Sequence, residues 1–243
     1  MSRLLPPRFD RRRALAGFGV LGIQRWLPAC GSDGRSSQTP DAPTNGDATC
    51  VLTPAQTEGP FFFDTGFDRR DIREGKEGAL LELGLRVVDA QSCEPISGAL
   101  VEVWHADAAG AYSAFDTAQG NSANAAGQTF LRGFQTSDSN GLVEFVTVYP
   151  GWYPGRTPHI HIMVLLAGAP QGQASLLTTQ LYFPEAITDA VYALAPYAAR
   201  GPRSTTNASD GVGVPSALIG AVEETEQGFS TSFRMVAPTM RAS

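Results

Sequence analysis

The strongest constraint on the fold is a series of short segments with strand character, the clearest of which has an apolar residue at every second position. In this segment, which follows Pro158 and reads H-I-H-I-M-V-L-L, the alternate residues are Ile, Ile, Val and Leu. Alternation with period two is typical of a β-strand that buries one face. The expected strands cover residues 81–88, 99–105, 142–148, 159–167, 175–183 and 229–237.

Turn residues separate most of these segments, and no long amphipathic helix competes with them. Short helices are expected only at residues 187–193 and 216–225. The chain has 243 residues, of which 42% are hydrophobic, and this is enough to bury the core of one domain. The sequence therefore predicts an all-β fold, an antiparallel β-sandwich with long loops between its strands.

Residues 1–30 have the parts of an export signal: a basic region ending in R-R-R, an apolar segment at 14–23, and L-P-A-C ending at Cys30. The arginines resemble a bacterial twin-arginine signal, and L-P-A-C resembles a lipobox, in which Cys30 would be lipidated. About ten apolar residues are too few to span a bilayer. We expect an exported protein, periplasmic or tethered to the membrane through Cys30, and a disordered basic N-terminus is the alternative.

The segment 31–49 consists mainly of Gly, Ser, Pro, Asp, Asn and Thr, which predicts a flexible linker before a domain at 50–243. Residues 1–29 hold six of the 18 basic residues and one of the 24 acidic residues, so the domain itself is acidic. Lys76 is its single lysine. Such a domain has no basic surface for nucleic acid, and we expect no nucleic-acid partner.

Cys50 and Cys93 are the two cysteines that remain when Cys30 is assigned to processing. An even number of cysteines in an exported domain favours a disulfide. Two reduced, buried thiols are the alternative, and they would be favoured if the chain is not exported.

Reactive side chains are concentrated where a Pro/Gly-rich turn leads into the strand at 159–167. Turn and strand read Y-P-G-W-Y-P-G-R-T-P-H-I-H and include Tyr153, Arg156, His159 and His161. Residues i and i+2 of a strand share a face and lie about 7 Å apart, so both imidazoles can bind one metal ion. A pair of buried, hydrogen-bonded histidines is the alternative. Metal binding gains support because two of the three histidines in the chain occur here.

A second stretch, W-H-A-D-A-A-G-A-Y-S, lies at the end of the strand at 99–105. Asp107 and Gly110 indicate a tight turn, and Tyr112 lies just beyond it. Taken alone, Tyr112 is best explained as an amphipathic core residue. His105 is likewise better explained as a hydrogen-bonded residue at the strand end than as a ligand.

Together these two stretches resemble the signature of the intradiol ring-cleavage dioxygenases, the family of protocatechuate 3,4-dioxygenase and catechol 1,2-dioxygenase. Further stretches match in the same order: T-P-A-Q-T-E-G-P-F-F, C-E-P-I-S-G-A, F-L-R-G-F-Q-T-S-D-S-N-G and T-T-Q-L-Y-F. The resemblance covers residues 50–238. It implies an exported single-domain enzyme with non-haem Fe(III) that cleaves a catechol-type diol between its hydroxylated carbons with O2, giving a cis,cis-muconate-type diacid.

The resemblance also assigns roles by position, in a metal site carried by the long loops. Four residues match the iron ligands of the family: Tyr112, Tyr153, His159 and His161. Tyr153 and His161 match the axial pair, and Tyr153 would also act as a base when substrate displaces it. Arg156 matches an arginine that stabilises negative charge on the bound aromatic, and Gln180 matches a nearby glutamine. Phenolate oxygens are hard, anionic donors that favour Fe(III) over Fe(II).

Two other functions stay open. A non-catalytic exported β-sandwich could bind aromatic or carbohydrate ligands on its aromatic side chains. A cupin-like enzyme would need more His and Glu ligands, and only His105 is left. The helical N-terminal region with which catechol 1,2-dioxygenases dimerise has no counterpart, so the oligomeric state is open. Ala111, Trp152 and the loop 53–63 either line the substrate pocket or pack in the core.

Overall fold

Two four-stranded β-sheets dominate the computed structural model, which describes residues 50–64, 66–166 and 175–238. The strands are β1 Leu80–Asp89, β2 Leu100–Trp104, β3 Arg132–Thr136, β4 Leu142–Val148, β5 His159–Leu165, β6 Leu177–Tyr182, β7 Val222–Glu224 and β8 Phe229–Ala237. The helix α1 spans Glu185–Tyr192. Short 3-10 helices lie at Thr117–Gln119, Tyr197–Arg200, Asn207–Ser209 and Ser216–Leu218.

The first sheet has the order β4-β1-β8-β7 and the second has the order β3-β2-β5-β6. All pairs are antiparallel except β1 and β8, which run parallel. The expected all-β sandwich is confirmed, with the correction that the first sheet is mixed. Because β1 and β8 are separated by most of the domain, no tight hairpin forces them to run in opposite directions.

The hydrophobic core lies between the sheets and explains the alternation in the sequence. One face of β1 and one face of β5 point into it, and these inward residues are at most 1% exposed. They are Leu81, Leu83, Leu85 and Val87 from β1, and Ile160, Ile162 and Val164 from β5. The outer face of β5 is buried as well, because loops cover it. His159 and His161 therefore lie between the second sheet and these loops.

Two strands and one helix differ from the sequence predictions. β3 reads R-G-F-Q-T and lacks apolar alternation, so its pairing with β2 was not expected. β7 lies inside the segment 216–225, where we expected a helix. That expectation is wrong beyond Leu218, because the chain extends there to pair with β8 along the sheet edge. The helix expected at 187–193 is confirmed as α1.

Cys50 and Cys93 form a disulfide across a sequence separation of 43 residues, as expected. It joins the beginning of the described domain to the turn that follows β1. The export signal at 1–30, the linker at 31–49 and the predicted end of the fourth strand at Ala167 lie outside the described residues and stay predictions. Within the described ranges, no helix has the length and apolar character needed to cross a membrane.

Candidate metal centre

β5 carries His159 and His161 on the sheet face that points away from the core, where they are 2% and 1% exposed. Nδ1 of His159 lies 2.7 Å from the carbonyl oxygen of Thr157. Because a carbonyl oxygen only accepts hydrogen bonds, this nitrogen carries the proton. Nε2 of His159 therefore presents a lone pair to the site, 3.1 Å from Nε2 of His161.

Two phenol oxygens approach the same nitrogen of His159. The oxygen of Tyr112 lies 3.3 Å from Nε2 and that of Tyr153 lies 3.4 Å from it. Asn121 fixes Tyr112, because its side chain accepts from the backbone N–H and donates to the backbone carbonyl of that residue. Tyr153 is held in a tight turn, where its carbonyl accepts from the N–H of Arg156. The structure thus brings together all four side chains predicted as metal ligands.

The chemistry of these donors fits a metal ion. Bonds of about 2 Å to a common ion place neighbouring donors about 3 Å apart, close to the separations seen here. Burial lowers the pKa of His159 to about 3 and the pKa of His161 well below its usual value, so both imidazoles are neutral donors. Burial raises the pKa of Tyr112 and of Tyr153, so ionisation of either phenol requires a nearby positive charge. A bound cation supplies that charge.

The type of donor also distinguishes this centre from other metal sites. Across the ranges that the structure describes, no three His, Cys, Asp or Glu side chains form a group that could hold a metal ion. The donors that meet at His159 form a mixed set instead. The two phenols of Tyr112 and Tyr153 complete such a set with the two imidazoles.

Arg156 is anchored next to the four donors by a buried carboxylate. Its Nε lies 3.1 and 3.0 Å from the two oxygens of Asp210, which also accepts from the N–H of Thr157 at 2.8 Å. Nη1 of Arg156 lies 3.4 Å from the phenol oxygen of Tyr153. Burial opposes the positive charge, but Tyr153 and Asp210 outweigh it and raise the pKa of Arg156. Arg156 is therefore a permanent cation beside the candidate centre.

Gln180 connects this cation to the loop that covers the site. It lies on β6 next to the outward histidines of β5. Its Oε1 accepts from Nη2 of Arg156 at 2.5 Å, and its Nε2 donates to the carbonyl of Thr57 at 2.9 Å. Tyr182 lies on the same strand face and donates to Gln56 at 2.6 Å. β6 thus ties the predicted catalytic residues to the loop 53–63.

Aromatic rings enclose the donors on the side of the covering loop. The ring of Trp104 stacks on that of His161, with centroids 4.9 Å apart and planes inclined by 4°. Phe61 stacks on Tyr112 with centroids 4.6 Å apart. A Cβ atom on Gly59 would lie 3.3 Å from Cε1 of His161. The loop 53–63 therefore packs directly on the candidate ligands.

Three other residues singled out by sequence have different surroundings. His105 lies 2.7 Å from Oγ1 of Thr147 and 2.8 Å from the carbonyl of Ala106, and is a buried, hydrogen-bonded residue as expected. Ala111 closes a turn with Asp107: its N–H donates to the carboxylate of Asp107, and its carbonyl accepts from the N–H of Asp107, both at 2.9 Å. Trp152 packs against Arg200, whose guanidinium carbon lies 4.4 Å from the ring centroid.

Three residues that contact the predicted site were not identified from the sequence: Trp104, Tyr182 and Asp210. Tyr182 could have been found from its position two residues after Gln180, because alternate residues of a strand share a face. Trp104 stands at the end of a predicted strand, but its partner strand could not be known. Asp210 lies in an irregular segment with no local pattern, 54 residues from Arg156.

Comparison with known proteins gives a consistent result. The family model described as a dioxygenase matches residues 58–200. An intradiol ring-cleavage dioxygenase from Tetranychus urticae is 30% identical, with a TM-score of 0.70 over 80% of this chain and 98% of that chain. The dioxygenase domain of a dioxygenase and carbohydrate-binding protein fusion from Streptomyces sp. SirexAA-E is 29% identical, with a TM-score of 0.58 over 78% and 100%.

A 3-chlorocatechol 1,2-dioxygenase from Rhodococcus opacus is 23% identical, with a TM-score of 0.55 over 77% of this chain and 73% of that chain. At this identity the likeness establishes a shared fold alone. The family resemblance read from the sequence is confirmed by the family model and by the Tetranychus urticae structure.

Proposed function

The chain belongs to the intradiol ring-cleavage dioxygenase family and is an oxidoreductase of that kind, and on this premise we propose that it uses Fe(III) to cleave a catechol-type diol with O2. The bond broken lies between the two hydroxylated carbons, and the product is a cis,cis-muconate-type diacid. The proposed iron ligands are Tyr112, Tyr153, His159 and His161. The observation that carries the proposal is that the other three donor atoms lie within 3.4 Å of Nε2 of His159.

The donor set explains why iron would be held in its oxidised state. Fe(III) at this position would supply a Lewis acid to which both oxygens of a deprotonated diol can bind. The phenolates of Tyr112 and Tyr153 are hard anions and favour the ferric state. His159 presents a fixed lone pair, because its other nitrogen donates to Thr157. Such fixed orientation of a ligand by a second partner is typical of metal sites.

Tyr153 is placed to take a proton from the substrate. It is the less buried of the two phenols, since Tyr112 is 1% exposed and Tyr153 is only partly buried. A diol that binds as a dianion loses two hydroxyl protons, of which a Tyr153 phenolate can accept one and solvent the other. The phenol that results lies beside Nη1 of Arg156, at 3.4 Å.

Arg156 stabilises the negative charge that the diol brings into the site. Asp210 fixes its Nε and Gln180 fixes its Nη2, so Nη1 is directed towards the donors. A preorganised cation in a site shielded from water is worth a few kcal/mol to a charged transition state. Phe61 and Trp104 provide this shielding, because both are buried against the ligand rings.

The first experiment is a visible spectrum and an iron assay of the purified protein, before and after anaerobic addition of catechol. We expect a reddish tyrosinate-to-iron band that shifts when catechol binds. Oxygen consumption and a diacid product should follow when air is admitted. Tyr153→Phe should alter the band, and His161→Ala should abolish it.

The matched control is Tyr192→Phe, which removes a phenol that donates to the carbonyl of Pro150 outside the candidate centre. This variant should keep the band and the oxygen consumption. A colourless protein that cannot be reconstituted with iron would refute the dioxygenase proposal. In that case, catechol binding to the iron-free protein would identify a binding module instead.

A further inference from the structure

Arg132 is a buried cation that forms no ion pair with a carboxylate in the described ranges. It lies on β3 opposite Trp104 and is 1% exposed. Its Nε donates to Oγ of Ser113 and its Nη2 donates to the carbonyl of the same residue, both at 2.8 Å. Its Nη1 is buried without a hydrogen-bond partner, and none of the ion pairs among these residues includes it. A buried guanidinium is costly unless negative charge lies close to it.

Among the described residues, Tyr112 and Glu102 are the groups whose negative charge would act on Arg132. Burial raises the pKa of Glu102 to about 7, with a further contribution from Asp64, so this carboxyl is only partly ionised at neutral pH. The guanidinium carbon of Arg132 lies 5.9 Å from the ring centroid of Tyr112, a cation–π distance. Ser113, which accepts both hydrogen bonds that Arg132 donates, directly follows Tyr112 in the chain.

We propose that Arg132 is a positioning residue for Tyr112, holding the backbone beside it through Ser113 and balancing the charge of its phenolate when metal is bound. This inference rests on the proposed function, because it requires Tyr112 to be a metal ligand. Each phenol at the centre then has its own arginine. Arg156 reaches the oxygen of Tyr153 from the turn, and Arg132 supports Tyr112 from β3.

The two parts of this role predict separable effects. A nearby cation lowers the energy of the phenolate electrons, so charge transfer from Tyr112 to ferric iron requires more energy. Arg132→Met removes this cation and should move the Tyr112 band to longer wavelength. Arg132→Lys keeps the positive charge but loses the two-point contact with Ser113, so it should retain the wavelength and weaken iron binding several-fold. Ser113→Ala should likewise weaken binding without moving the band.

The experiment measures the visible spectrum and the iron affinity, by competition with a chelator, for each iron-loaded variant. A Tyr153→Phe background isolates the band of Tyr112. The control is Arg69→Met, because Arg69 also donates to the backbone carbonyls of Thr129 and Arg132 but is ion-paired with Glu74. It should leave the wavelength unchanged.

Wild-type wavelength and wild-type iron affinity in both Arg132 variants would overturn the role of Arg132 and leave the proposed function intact. A wild-type protein that binds no iron would refute both proposals together. If a thermal melt shows that Arg132→Met is not folded, Arg132→Lys and Ser113→Ala still test the positioning role. Unchanged iron affinity in both of these variants would overturn it.

Discussion

Asp210 is the residue on which the position of Arg156 depends. Its carboxylate is buried and accepts from Nε of Arg156 and from the N–H of Thr157. Asp210→Asn replaces one acceptor oxygen by a donor, so the guanidinium loses part of its anchor. We expect kcat for catechol to fall roughly 10- to 100-fold, as for other residues that orient a site, while the iron band is retained.

The control for this change is Asp189→Asn, because Asp189 is an exposed carboxylate paired with Arg203 at 2.8 Å. It should keep kcat within about twofold, since exposed ion pairs contribute little. Steady-state oxygen uptake measures both variants. An Asp210→Asn enzyme with wild-type kcat would show that Gln180 and Tyr182, which accept from Nη2 of Arg156, are sufficient to hold it.

Glu102 makes the stability of the domain depend on pH. Burial, the largest cause, and Asp64 raise its pKa to about 7 from the usual 4.5, whereas Arg132 opposes the shift. The folded state therefore holds this proton more tightly than the unfolded state. The contribution of Glu102 to the free energy of unfolding is fully present below pH 4.5 and is lost as the pH rises towards 7. The loss amounts to roughly 3 kcal/mol at most.

Glu102→Gln should remove this dependence. The free energy of unfolding of the wild type relative to the variant should fall between pH 4 and pH 8, as measured by urea denaturation. Glu82→Gln is the control, because Glu82 is exposed on β1. A difference between Glu102→Gln and wild type that is constant over this range would contradict the prediction.

At the residue scale, the sequence was informative where the chemistry is local. Tyr153, Arg156, His159 and His161 lie in one stretch, so a turn followed by a strand is enough to predict that they meet. Tyr112 could be added only through the family resemblance, since nothing local relates it to β5. Asp210, Arg132 and Trp104 depend on which elements pack together. Sequence periodicity carries no information about that.

The covering loop 53–63 is the element that closes the site. Gly59 has a φ of +73°, and a Cβ there would press on Cε1 of His161 at 3.3 Å. Gly59→Ala should therefore cost about 1 kcal/mol from the backbone alone and should weaken iron binding several-fold, because the imidazole must move. Chelator competition and urea denaturation measure the two effects.

Gly75→Ala separates the backbone cost from the contact with the ligand. Gly75 has a φ of +75°, and a Cβ there would meet nothing within 4 Å. This variant should show a similar loss of stability with unchanged iron affinity. Equal iron affinities of the two variants would mean that the loop adapts without disturbing His161.

Among the elements, the strands that bury every second residue in the core were predictable from the sequence. The edge strands β3 and β7 were not. β1, β4, β5 and β8 bury alternate residues in the core, and their positions follow from that pattern. β3 and β7 are held by pairing with a neighbouring strand, and their own residues lack the apolar alternation that is typical of a strand. The parallel pairing of β1 with β8 depends on the path of the whole chain.

The disulfide between Cys50 and Cys93 stabilises the domain as a whole, because it closes a loop of 43 residues. In the chain-entropy model such a loop contributes roughly 4 kcal/mol. The double variant Cys50→Ser, Cys93→Ser should lose about this much in urea denaturation. Reduction of the wild type should give the same loss, and the double variant should not respond to the reductant. A smaller loss would mean that the unfolded chain retains structure around the first strand.

An extracytoplasmic location would account for such a disulfide, because disulfides persist in oxidising compartments. We propose that residues 1–30 export the chain by the twin-arginine route and that Cys30 is lipidated. Replacing Arg12 and Arg13 by Lys keeps the charge and should retain the protein in the cytoplasm, whereas Arg3→Lys with Arg8→Lys should not. Cys30→Ser should move the exported protein from the membrane fraction to the soluble fraction. Normal export of the Arg12, Arg13 variant would exclude the twin-arginine route, and an unchanged membrane fraction for Cys30→Ser would exclude a lipid tether at that residue.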